Sequence, residues 1–277
     1  MVTGAGGQLG SDLARLLPGV AAFGRAELDV SDRAAVERAV AACGPAVLFN
    51  CAADNAVDAA EDDPSRSLLI NGVAPGVLAD VCAAAGVRLV HFSTNYVFDG
   101  ASGSPYSEED AVSPLGAYAR SKVEGERRVL ATQPSALVIR SSGLFGAVGS
   151  AVKGGSFPER LLGWAREGRA LRVVDDQLLN PTFTGDLAAA AVGLAGAGME
   201  GVVHLVAGGC CSYWELARAT LVLAGLGEVA VERVGTGVFP ARAPRPLNGC
   251  LRSIRVPPLR PWQEGLAAWW GEVSGLR

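Results

Sequence analysis

Met1-Val2-Thr3-Gly4-Ala5-Gly6-Gly7-Gln8-Leu9-Gly10 opens the chain, and its reading decides the fold. A short apolar run meets glycines spaced as Thr-Gly-x-x-Gly-x-x-Gly, and a helical pattern over 8–17 follows. At such a strand-to-helix turn the glycines let the chain bend tightly, and the helix N-terminus offers free N–H groups to a pyrophosphate. Gly4, Gly7, Gln8, Leu9 and Gly10 are therefore the expected dinucleotide-binding turn. With 36 glycines in the chain the spacing alone is weak, and Gly143, Gly146 and Gly149 repeat it. That second copy leads into 150–156, which has no helical period, so it reads as a loop. Only three residues precede Gly4, fewer than a usual central strand holds. The first strand is expected to be truncated, or to lack a few natural residues.

Outward from that turn, short apolar runs alternate with helix-period stretches, the pattern of a parallel sheet covered by helices. Strand patterns fall at 1–3, 20–23, 46–50, 88–93 and 136–140, and helical ones at 8–17, 33–43, 64–85 and 114–130. Ser31 and Ser113 fit helix N-cap positions, each with an acidic residue or proline close behind. After Arg140 the rhythm changes. A glycine-rich loop over 143–155 precedes a helix at 157–166, a strand at 171–174, a helix at 184–195, a strand at 202–206 and a helix at 212–224. Six prolines in 240–261 mark an irregular wrap, and 262–270 reads as a closing amphipathic helix. The expected fold class is α/β: a Rossmann-like, doubly wound parallel sheet over 1–142, with a smaller C-terminal α/β substrate lobe over 143–277. Some segments of that lobe can return to the sheet.

The residue that meets the adenosine ribose belongs about 20 positions after the glycine turn, at the end of the second strand. Gly24-Arg25 stands there, with no carboxylate until Glu27. A carboxylate accepts from a ribose 2′-hydroxyl, whereas a guanidinium suits a 2′-phosphate. Arg25 therefore favours NADP (as NADPH), with NAD as the lesser option. Asp29 and Val30 follow, where the Asp can accept from an adenine amino group.

Tyr118 and Lys122 lie four residues apart in a chain with only two lysines. On a helix this puts both side chains on one face, one turn apart. A phenol titrates near ~10 and is a poor proton donor or acceptor at neutral pH. A neighbouring ammonium stabilises the phenolate and is expected to pull the value down.

The formal net charge is −4, 49% of residues are hydrophobic and no basic block occurs. That excludes nucleic acid and an anionic membrane as main partners. No signal peptide or run of about 18 apolar residues is evident. Six cysteines (Cys43, Cys51, Cys82, Cys210, Cys211, Cys250) form no Cys-x-x-Cys pair, and the histidines, His91 and His204, have no ligand-like spacing. No metal site is expected. Buried reduced thiols, and hence a cytoplasmic protein, are the expectation. Pattern alone leaves the oligomeric state open, a homodimer included.

Ser93-Thr94-Asn95-Tyr96-Val97-Phe98-Asp99-Gly100, taken with Tyr118-x-x-x-Lys122, resembles the extended short-chain dehydrogenase/reductases. Within them the chain is most similar to the dTDP-4-dehydrorhamnose reductase-like family. Asn50-Cys51-Ala52-Ala53, Ala56-Val57-Asp58, Val174-Asp175-Asp176-Gln177, Pro181-Thr182 and Ala243-Pro244-Arg245-Pro246 extend the likeness along nearly the whole chain. The resemblance implies an NADPH-dependent reductase of a nucleotide-linked 4-keto-6-deoxy sugar. It implies Tyr118 as general acid, Lys122 holding the nicotinamide ribose, and Thr94 donating to the developing alkoxide. It further implies Tyr96 in the sugar pocket, Ala52 and Ala53 leaving room for the cofactor, and Asn71 supporting it from the next helix. Arg245 would meet the nucleotide diphosphate, and Lys153 either reaches phosphate too or is a solvated loop lysine.

Three positions depart from that family's pattern. Asn95 stands where the family usually has Asp after the catalytic threonine. Asn55 lies where a threonine is frequent. Gly143 matches a tryptophan that contacts the sugar in rhamnose-forming members, and loss of an indole removes a large apolar wall. The departures leave the chemistry in place and the sugar open. Two alternatives stand beside it: a nucleotide-sugar epimerase or dehydratase, and a non-catalytic NADP-binding regulatory subunit.

Overall fold

The computed structural model describes residues 1–149 and 154–275. Five strands of the first half, β1 (Val2–Thr3), β2 (Ala22–Phe23), β3 (Val47–Asn50), β4 (Arg88–Thr94) and β5 (Leu137–Ser141), join a later strand, Gly201–His204. They form one parallel sheet in the order Gly201–His204, β5, β4, β3, β1, β2. Chain order reverses between β1 and β3, and at such a switch point the carboxyl ends of an open sheet leave a crevice. Only two residues make β1, yet it pairs on both sides, Val2 with Ala22 and Phe49.

Helices α1 (Gln8–Leu16), α2 (Arg33–Cys43), α3 (Ala59–Asp62), α4 (Pro64–Leu68), α5 (Ala74–Ala85) and α6 (Ala117–Thr132) cross between these strands. One core of Leu48, Leu78, Leu89 and Val138 lies on one face of the sheet, and another of Val2, Leu13, Val90 and Ile139 on the other. Near-continuous apolar strands are what a sheet covered on both faces requires. The second half returns to this domain: Gly201–His204 pairs with β5, and α8 (Thr184–Gly196) packs on α1.

Beyond β5, α7 (Phe157–Arg166), α9 (Tyr213–Leu223) and α10 (Trp262–Ser274) surround a parallel pair of strands, Leu171–Val174 and Val231–Val234. Phe145, Leu161, Leu221, Trp262 and Trp269 build a separate core there. Its helices are capped as their sequence asks. Ser156 with Glu159, and Ser212 with Glu215, each form a complete capping box.

Several local expectations are corrected. Asp32, not Ser31, caps α2, its carboxylate accepting from Ala34 and Ala35 N–H, while the Ser31 hydroxyl is drawn back to Asp29 Oδ1 at 2.6 Å. Ser113 is no cap either. Its N–H donates to Val97 O at 2.8 Å in an extended approach, and α6 begins only after Gly116. The helical stretch Pro64–Ala85 is broken at Leu69–Val73 by a π-turn. By length and composition alone that stretch would be apolar enough to cross a membrane. It is instead half buried inside the fold, packed on α2 and α6. Cys210 and Cys250 are disulfide-bonded, their Cα atoms 6.1 Å apart, where six reduced thiols were expected. The wrap carries Cys250 alongside the loop before α9, a proximity that sequence spacing does not encode.

Candidate active site

Over the carboxyl ends of the strands, between sheet and lobe, lies a cavity of about 840 Å3. The glycine turn forms one end. Gly4 is left-handed (φ +69°), and a Cβ there would stand 2.5 Å from Ala52 N; a Cβ on Gly10 would stand 2.2 Å from Gly4 O. Both glycines are thus set by close backbone approach as well as by the turn. Gly7 precedes α1, so the helix N-terminus faces the cavity, where Gln8 Nε2 is buried without a hydrogen-bond partner among the described residues. Leu9, Arg25, Asp29, Val30, Ala52 and Ala53 line the same end. Arg25 is exposed and makes no ion pair among the described residues, leaving its guanidinium free for an anion. Asp29 is pulled below the usual carboxylate range by the Ser31 hydroxyl and N–H.

Thr94, Tyr118 and Lys122 meet at the middle of the cavity, all three buried. Thr94 ends β4 and accepts from Tyr96 N–H at 3.2 Å. Tyr118 and Lys122 share one face of α6, as their spacing predicts. Burial pushes the Tyr118 phenol above its ordinary value, the Thr94 hydroxyl pulling the other way. This reverses the expected depression by Lys122, because the ammonium is aimed elsewhere: Lys122 Nζ donates to Phe92 O at 2.7 Å. The phenol donates to Asn55 Oδ1 at 3.3 Å, and Tyr96 packs edge-on to its ring. Burial pushes Lys122 down to about 8, opposed by the carboxylate of Glu126 and by Cys51.

Below Lys122, a buried chain fixes the floor. Asn50 Oδ1 accepts from Thr3 Oγ1 and from Ala52 N–H, which turns its amide nitrogen toward His91 Nδ1 at 3.0 Å. That network assigns the His91 proton to Nε2. Burial, then the Lys122 charge, keeps His91 well below its ordinary value, so it is neutral.

Other expected site residues fall differently. Asn71 does not line the cavity; it is buried behind it, accepting from Asp54 N–H and donating to Asp54 O and the Ser67 and Ser121 hydroxyls. It braces the 52–55 loop from the π-turn. Arg245 is not on the cavity wall. Its guanidinium grips both oxygens of Asp58, at 3.2 and 2.6 Å, and Ala243 O at 3.1 Å. Asn95 connects Thr94 to the wrap: its Oδ1 accepts from Thr94 Oγ1 at 3.3 Å and its Nδ2 donates to Gly249 O at 3.1 Å. Gly143 lines the cavity at φ +60°, and Lys153 lies outside the described residues.

Sequence reading missed the lobe's contribution. Phe157, Arg160, Tyr213 and Leu216 close the far end, with Phe157 edge-to-face on Tyr213 at 5.0 Å. Buried hydroxyls of Ser93 and Ser141 also face the cavity without partners among the described residues. One signal was available for Tyr213, since only four tyrosines occur and it directly follows a capping serine. None marked Arg160 among so many arginines.

A parallel sheet with a glycine turn at its switch point, and a Thr–Tyr–Lys cluster beside it, defines an NAD(P)-dependent oxidoreductase of the short-chain dehydrogenase/reductase kind. More particularly, the chain belongs to the RmlD substrate binding domain family, whose model matches residues 1–274. It is 40% identical over 281 residues to a dTDP-4-dehydrorhamnose reductase of Mycobacterium tuberculosis (strain CDC 1551 / Oshkosh), covering 96% of this chain and 90% of the relative. A dTDP-4-keto-6-deoxy-D-glucose reductase of Streptomyces niveus is 37% identical over 276 residues, covering 96% and 94%. The crystal structure of a Bacillus anthracis str. Ames dTDP-4-dehydrorhamnose reductase in complex with NADP superposes with a TM-score of 0.93 at 29% identity, covering 98% of each chain.

Proposed function

We propose that this protein reduces the C4 keto group of a dTDP-linked 4-keto-6-deoxy sugar with NADPH, as a cytoplasmic enzyme. The observation that carries this reading is the Thr94–Tyr118–Lys122 cluster sharing one cavity with the glycine turn. The residues present suit the cofactor: an open helix N-terminus, Gln8 Nε2 and the Arg25 guanidinium, the last two without partners among the described residues, all favour phosphate groups. Ala52 and Ala53 leave space beside them. When bound, NADPH supplies the hydride.

Tyr118 gives its proton to the carbonyl oxygen, and a phenol held above its ordinary value stays protonated and ready to do so through neutral pH. Thr94 donates a second hydrogen bond to the oxygen as negative charge develops on it. Lys122 hydrogen-bonds the nicotinamide ribose, and Asn71 supports the cofactor indirectly, by holding the 52–55 loop. Tyr96, Asn55 and Gly143 face the sugar. Residues before 143 supply mainly the cofactor side, and those after it mainly the substrate lobe. Against dehydratase chemistry stands the absence of an acidic pair directly after Thr94, where Asn95 is committed to Thr94 and Gly249.

The test is loss of NADPH absorbance with dTDP-4-keto-6-deoxyglucose, with and without a 3,5-epimerase. Turnover only with the epimerase assigns the rhamnose-forming substrate, and turnover without it the unepimerised sugar. NADPH binding with no turnover in either would contradict the reading.

A further inference from the structure

The far end of the cavity holds a cation without a partner among the described residues. Arg160 lines it from α7, and its side chain makes no hydrogen bond or ion pair among the described residues. Its Nε is buried without a partner, and its guanidinium lies 5.4 Å from the Trp164 ring centroid, a contact that leaves the in-plane N–H groups free. The neighbouring carboxylate is no partner, because Glu159 is committed to the Ser156 cap. Of the other arginines at or beside the cavity, Arg66 pairs with Asp54 and Arg245 with Asp58, while Arg25 lies at the opposite, glycine-turn end. An unpaired donor at a half-buried position is costly unless a ligand supplies the acceptor.

Tyr213 stands beside it on α9. Its hydroxyl also has no partner among the described residues, and it lies close enough to Arg160 and Arg245 to feel both charges. The Phe157 ring packs edge-on against it. Two N–H faces of a planar guanidinium, a phenol hydroxyl and an aromatic wall match a diphosphate joined to a ring.

We infer that Arg160, seconded by the Tyr213 hydroxyl, is the ligand of the substrate's diphosphate, in place of the Arg245 that the family resemblance points to. This rests on the nucleotide-sugar reading above. Arg245 instead ties the wrap to Asp58, its charge reaching the Tyr96 and Tyr213 phenols from outside the lining.

The test is calorimetric titration of dTDP, and separately of thymidine, into the NADP-loaded protein and its Arg160→Gln, Arg160→Lys and Arg245→Gln variants. Arg160→Gln should weaken dTDP binding about 10–100-fold, the scale of one or two charge-assisted hydrogen bonds. It should leave thymidine and NADP affinities unchanged, the latter showing that the fold is intact. Arg160→Lys should recover part of the loss, and Arg245→Gln should cost less than Arg160→Gln. Wild-type dTDP affinity in Arg160→Gln, or an equal loss for thymidine, would overturn the assignment while leaving the reductase reading standing. A wild-type protein that binds NADP but neither dTDP nor any other nucleoside diphosphate would overturn both.

Discussion

Glu61 Oε1 accepts a 2.6 Å hydrogen bond from the backbone N–H of Ala117, the residue before Tyr118. The N-cap of α6, Gly116, has no side chain to do this, and a Cβ there would stand 2.6 Å from that same Glu61 oxygen. A short acidic helix from elsewhere in the chain therefore caps the helix that carries Tyr118 and Lys122. That short acidic helix and the Asp58 that precedes it hold the wrap through Arg242–Asp62 and Arg245–Asp58.

Removing that cap by Glu61→Ala should cost about 0.5–2 kcal/mol of stability, as loss of a helix cap generally does. Because the cap aims Tyr118, kcat should fall while KM for NADPH stays close to wild type. Urea denaturation and steady-state kinetics check both; unchanged kcat in a destabilised protein would reduce Glu61 to a purely structural role.

Lys122 gives the pH dependence. Held at about 8, its ammonium is present below that pH and lost above it. If the charged form holds the ribose, NADPH affinity and kcat/KM should fall as pH rises through about 8. In Lys122→Arg, whose charge persists to far higher pH, this limb should vanish. A flat profile from pH 7 to about 9 in the wild type would contradict the role of Lys122.

The departure at Asn95 carries a cost if reversed. Asn95→Asp would replace a donor facing Gly249 O with a second acceptor, inside a buried contact. A loss of about 1–3 kcal/mol is expected, read by denaturation. Neutral or improved stability would show that the wrap is not anchored there.

Gly143 behaves similarly. At φ +60°, and with its would-be Cβ 2.7 Å from Asn180 O, any side chain is strained. Gly143→Ala should lose at least about 1–2 kcal/mol, and Gly143→Trp should not restore an indole wall without moving the 179–180 strand end. A Gly143→Trp variant as stable as wild type would mean that this loop repositions freely.

These sites also mark what the sequence carried. The glycine turn, the strand and helix rhythm and the Tyr118–Lys122 face were legible, because each follows from local geometry over a few residues. Helix caps were misread at Ser31 and Ser113, where a competing bond to Asp29 or Val97 decides, and the capping boxes at Ser156 and Ser212 went unread although each serine has its glutamate three residues on. Arg160, Glu61 and the Cys210–Cys250 pair were invisible, since each gains its meaning from a segment distant in sequence. The direction of the Tyr118 shift was misjudged for the same reason: spacing puts Lys122 near, but only the fold shows that its ammonium serves Phe92 O and that burial dominates.

The most direct measurement compares NADPH oxidation by wild type and Tyr118→Phe on dTDP-4-keto-6-deoxyglucose, with 3,5-epimerase present. The account predicts turnover by the wild type and a drop in kcat of about 10²–10⁴-fold in the variant, the usual contribution of a positioned acid, with NADPH binding retained. Equal turnover by the two proteins would contradict Tyr118 as the proton donor.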